Sequence, residues 1–84
     1  MRDVIQAKPD FADARFELGK ALLLKGDIKE ALENLERAAK LEPEKPYVHF
    51  QLGRAYLAAG RKAEGEAQIE LSKQIQDKAR NQTN

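Results

Sequence analysis

Eighty-four residues carrying 15 Lys and Arg against 14 Asp and Glu leave a net charge of +1, too balanced a field to steer the chain toward nucleic acid or an anionic membrane. The absence of Cys excludes disulfide staples, thiolate nucleophiles and Cys-based zinc sites, and a reducing cytoplasm is compatible with that composition. A chain this short builds one core of modest stability, and its longest purely aliphatic run, Ala21 to Leu24, falls far short of the roughly 20 residues a membrane span needs.

Met1 to Lys8 reads as a short helical piece, with Val4 and Ile5 apolar, stopped by Pro9. Pro9 stands 34 residues before Pro43, so residues 1–8 are expected to be the C-terminal remnant of a preceding repeat helix, in a chain cut from something longer. Asp10 is placed to cap the next helix, which runs to about Lys25 with Phe11, Ala14, Leu18, Ala21 and Leu22 on one apolar stripe. Gly26 ends it where a left-handed residue is needed. Asp27-Ile28-Lys29-Glu30 then forms a capping-box pattern. The second helix carries Ile28, Ala31, Leu32, Leu35 and Ala38 inward, with Glu33 four residues from Arg37 and Glu36 four from Lys40 as outer ion pairs. The bend at Gly26-Asp27 is too short for anything but an antiparallel hairpin.

Pro46 opens the next helix at a position where its missing N–H needs no partner. Tyr47 to Ala59 repeats the first helix, Gly60 ends it, and Arg61 to about Lys78 repeats the second with weaker signals, since Arg61 replaces Asp27 and Gly65 replaces Ala31. Residues from Lys78, and 80–84 in particular, lose the apolar period and are expected to fray into a disordered tail. The two halves are in register: Leu18-Gly19-Lys20-Ala21-Leu22 returns as Leu52-Gly53-Arg54-Ala55-Tyr56 after 34 residues, and Phe16, Leu23 and Gly26 return as Phe50, Leu57 and Gly60. A repeat of that length implies stacked helical units. The fold class is therefore all-α, built of antiparallel helical hairpins. Gly19 and Gly53, in mid-helix, call for a close backbone approach, with Ala31 as the small residue opposite Gly19. Leu18, Leu22, Leu35, Leu52, Tyr56 and Ile69 are expected to fill the interior.

Leu18-Gly19, Ala31, Leu35, Ala38 and Pro43 in residues 12–45, and Leu52-Gly53 and Tyr56 in residues 46–79, resemble the tetratricopeptide repeat (TPR) family. The second copy is looser, with His49 at the opening aromatic, Ser72 at the second small position and Asp77 where Pro belongs. The resemblance implies a short right-handed superhelix and a non-enzymatic module for protein-protein interaction. It also implies a concave groove lined by the first helix of each unit, here Asp13, Phe16, Lys20, Leu23 and Leu24, then Tyr47, Phe50, Arg54, Leu57 and Ala58. Phe16 with Lys20 and Phe50 with Arg54 each lie one turn apart, so the groove pairs an aromatic with a cation twice, which suits a peptide with apolar anchors and a carboxylate. The alternative is that both Phe residues pack between helices under solvated cations. With no Asn in the first helices, binding of acidic chaperone tails is not expected.

On the outer side of the last helix, Ala67 and Leu71 replace Glu33 and Arg37, and Ile75 and Ala79 continue the row. That row is a candidate self-association face, toward a missing continuation or a homodimer, and two repeats with a remnant fall below the usual three. An alternative function is thus structural stacking. His49, the only His, occupies an aromatic slot and reads as a packing residue. Without a Gly-rich phosphate loop or a nucleophile with a plausible base, neither catalysis nor a cofactor is expected. The Glu42, Glu44 and Glu64, Glu66, Glu70 groups read as solvated faces, not a metal site. The partner expected is a protein or peptide, with no nucleic acid and no membrane.

Overall fold

The computed structural model describes residues 11–82, with side chains as far as Arg80. The described residues form four helices: α1 (Ala12–Lys25), α2 (Ile28–Leu41), α3 (Pro46–Ala58) and α4 (Lys62–Gln82). The expectations for residues 1–8 and for capping by Asp10 lie outside the described residues. α1 packs along α2 and α3 along α4, α3 also lies on α2 and touches α1, and α1 and α4 share no contact. The result is two antiparallel hairpins joined side by side.

The two hairpin bends share their glycine conformation and two backbone bonds. Gly26 (φ +95°) and Gly60 (φ +83°) hold the left-handed conformation that spares the backbone a Cβ clash. Behind them Asp27 N–H donates to Leu22 O at 2.9 Å, and Arg61 N–H donates to Tyr56 O at 2.8 Å. These bonds satisfy carbonyls that a helix end would otherwise leave open. The side chain of Asp27 does not cap α2; its Oδ2 lies 3.4 Å from Lys25 Nζ instead, so the expected capping box is not formed. At the far end α4 stays helical to Gln82, past the point where the tail was expected. Residues 76–82 contain no Gly or Pro to break the helix, and polar residues of fair helix propensity extend it without an apolar face.

Leu35 and Ala38 on α2, Val48, Leu52 and Ala55 on α3, and Phe16 on α1 form one buried cluster with Leu32 and Tyr56. Leu35, Leu52 and Tyr56 are thus interior as expected, while Leu22 and Ile69 are only half-buried. Leu18 is 48% exposed, against 3% for Leu52, its counterpart one repeat on. The reason is position in the stack: Leu52 faces the first hairpin, and no described element lies on the corresponding side of α1.

The mid-helix glycines are set by contact. A Cβ on Gly19 would stand 2.6 Å from Leu35 Cγ and 3.4 Å from Ala31 O, so Leu35 is the nearer constraint and Ala31 the second. In the second hairpin a Cβ on Gly53 would stand 2.8 Å from Gly65 O, and one on Gly65 would stand 2.8 Å from Gly53 O. Gly65 is therefore more than a weak spot in α4. It lets two backbones meet, and the close packing offsets its helix cost of about 1 kcal/mol.

Candidate groove and the seam between the repeats

Each hairpin holds a buried or half-buried polar pair between its own two helices. Arg15 Nη1 donates to Asn34 Oδ1 at 3.0 Å, and Asn34 Nδ2 donates to Glu30 O at 2.9 Å. One repeat later the same two positions hold His49 and Gln68, with Nδ1 2.7 Å from Gln68 Oε1. His49 is 6% exposed, and its Nε2–H donates to Pro43 O at 2.7 Å, a carbonyl that can only accept. His49 thus packs, as expected for its slot, and also ties the α2–α3 loop to α4. The signal for this pairing was in the sequence: Arg15 and His49, and Asn34 and Gln68, are each 34 residues apart and polar in both copies.

Tyr56 crosses the seam between the hairpins. Its hydroxyl donates to Glu36 Oε2 at 2.6 Å, so Glu36 serves an inter-repeat bond in place of the expected pair with Lys40. Burial, then the hydrogen bond to Glu36, pushes the Tyr56 hydroxyl up to about 12. The Arg61 guanidinium lies 4.8 Å from the centre of the Tyr56 ring and grips Glu64 with two hydrogen bonds of 2.6 and 2.8 Å. Those bonds hold the Glu64 carboxyl below its ordinary range and raise Arg61.

The expected groove residues do not form one continuous surface. Lys20, Leu23 and Leu24 from α1 meet Arg54 from α3 around a depression of about 220 Å³, with Gln51 as a further lining residue. Leu24 is 84% exposed there. Lys20 Nζ lies 5.3 Å above the Phe16 ring and 3.6 Å from Glu17, and no partner of Arg54 is found among the described residues. Phe16 itself is 8% exposed, because α3 lays Tyr47 edge-on against it with ring centres 5.0 Å apart. For Phe16 the packing alternative holds. Phe50 and Tyr47 line a separate depression of about 380 Å³ with Ile69, Ser72, Lys73 and Gln76. Leu57 is half turned toward α4, where it would meet a Cβ on Gly65 at 2.7 Å, and Asp13 and Ala58 are exposed outside these depressions.

Of the outer row on α4, Leu71, Ile75 and Ala79 line a cleft shared with Pro43 and Glu44 of the α2–α3 loop, and Ala67 is exposed outside it. Among the described residues there is no cluster of three or more His, Asp and Glu fit to hold a metal ion, and no helix is long and apolar enough to cross a membrane. Gln51, Lys73 and Gln76 were not anticipated as lining residues. Gln51 lies one turn from Arg54, and that spacing was the available clue.

Antiparallel hairpins recurring every 34 residues and stacked side by side define a helical repeat array. A family model described as TPR repeat matches residues 20–60, and another described as tetratricopeptide repeat matches residues 1–33. The solved structure of MamA MSR-1 C2 superposes with a TM-score of 0.80, at 26% identity over 90% of this chain. This chain spans 44% of that one. Comparison with curated proteins gives no match. The chain belongs to the tetratricopeptide repeat family, whose repeats in general mediate protein-protein interactions as non-enzymatic modules.

Proposed function

We propose that the chain binds a peptide or partner helix in the concave groove, with residues 12–45 and 46–79 as its two repeat units. The observation that carries this is the depression in which Lys20 and Arg54, from different repeats, flank the apolar surface of Leu23 and Leu24. Two cations facing an open apolar floor match a ligand with one carboxylate and one apolar anchor. A hydrogen bond to a charged group contributes about 1.5–3 kcal/mol, enough to orient such a ligand. The apolar floor supplies area, and the charge pairs supply direction.

The test is a fluorescence-anisotropy titration with a labelled peptide ending in Leu-Glu and a free C-terminal carboxylate. Lys20→Glu with Arg54→Glu is expected to weaken binding more than tenfold, and raising salt to weaken it progressively. Equal binding of a peptide whose carboxylates are amidated would exclude the assignment.

A further inference from the structure

The two hairpins hold the same positions in different surroundings. α3 sits on the first hairpin through Val48, Leu52 and Ala55, all buried, with Tyr47 laid on Phe16. Thirty-four residues earlier, α1 presents Ala14, Leu18 and Ala21 at the equivalent positions, and all three are exposed. The receiving side shows the converse. Phe16, Leu35 and Ala38 are buried beside α3, whereas of their equivalents Phe50 is 43% exposed and Ile69 half-buried, with only Ser72 buried within its own hairpin. The depression of about 380 Å³ beside Phe50 lies on this uncovered side. Among the described residues, the α1 side and the α4 side are complementary in this respect.

We propose that the open side of the α3–α4 hairpin receives α1 of a second copy of this chain, in the way that the α1–α2 hairpin receives α3. Leu18 and Ala21 then take the places of Leu52 and Ala55, and Phe50 and Ile69 those of Phe16 and Leu35. Charge agrees with this register. His49 bonds Pro43 across the internal seam; the equivalent positions are Arg15 and Asp77, so a guanidinium of the incoming copy meets a carboxylate of the receiving one. Arg15 has five N–H donors and keeps its bond to Asn34 while doing so. Asp77 is exposed, with a 3.4 Å contact to Arg80 to give up. The contact joins two different faces, so it does not close on itself and adds copies head to tail.

The experiment is sedimentation of the full chain across a dilution series, with Leu18→Glu, Phe50→Glu and an equimolar mixture of the two. The expected result is a wild-type mass that rises with concentration without stopping at the dimer, and at least tenfold weaker association for either variant alone. The mixture is expected to form a 1:1 complex and nothing larger, because Leu18→Glu keeps an intact receiving face and Phe50→Glu an intact α1. Arg54→Glu leaves association unchanged, which separates this contact from peptide binding in the groove. A wild type that stays monomeric, a saturating dimer broken only by Leu71→Glu, or a mixture that does not associate overturns the proposal. So does unfolding of Leu18→Glu, since it shows that the α1 face is already covered within its own chain.

Discussion

Phe16 and Phe50 occupy the same position in successive repeats, yet one is 8% and the other 43% exposed. Each sits in the first helix of its hairpin, ten residues before a glycine bend closed by the same pair of backbone bonds. What differs is the neighbour: α3 covers Phe16, and no described helix covers Phe50. In a repeat protein the sequence position sets the helix, and the place in the stack sets the burial.

That comparison is most directly broken by substitution at the paired sites. Phe16→Ala is expected to cost about 3–5 kcal/mol in urea denaturation and Phe50→Ala under about 1, because a buried ring leaves a cavity and an exposed one does not. Measured at a dilution where the chain is monomeric, equal losses would mean that Phe50 is covered within its own chain. Gly53→Ala comes next, at about 1–3 kcal/mol, because its Cβ would meet the Gly65 carbonyl, a backbone atom with little freedom to move. A neutral result in the same denaturation assay would show that the second hairpin packs more loosely than the structure has it.

Tyr56→Phe is expected to lose about 1 kcal/mol with the bond to Glu36, read by thermal melting at neutral pH. Its pH signature is more specific. The Tyr56 hydroxyl titrates at about 12 in the fold against about 10 in the unfolded chain, so its contribution is present below pH 10 and is lost as pH rises through 12. Melting temperature followed from pH 9 to 12 is expected to fall less steeply in Tyr56→Phe. The smallest effect belongs to Asp27→Ala. A side-chain cap is usually worth about 0.5–2 kcal/mol, but Asp27 makes no such bond, and a change within about 0.5 kcal/mol is expected in the urea assay.

The spacing of 34 residues was sufficient to place four helices, both bends and the fold class, because Gly26, Gly60 and Pro46 are local signals with local effects. It was insufficient for Leu18. The repeat makes Leu18 and Leu52 look alike, and only the stack reveals that one faces a hairpin and the other does not. Gly65 was misread for a related reason: helix propensity penalises it within α4, while the gain lies across the hairpin in the backbone of Gly53. Of the groove, Lys20, Leu23, Leu24 and Arg54 were legible from resemblance and come together; Phe16 was not, since the aromatic covering it belongs to the next repeat.

α1 and α4 share no contact, so each end of the molecule is known to the other only through α2 and α3. Its cooperativity therefore resides in a single joint, the apolar seam around Leu35, Val48 and Leu52. A perturbation at α4 reaches α1 only as a weakening of that joint. Amide protection should accordingly be greatest in α2 and α3 and decline toward both termini, as in a short one-dimensional lattice that loses its outer sites first.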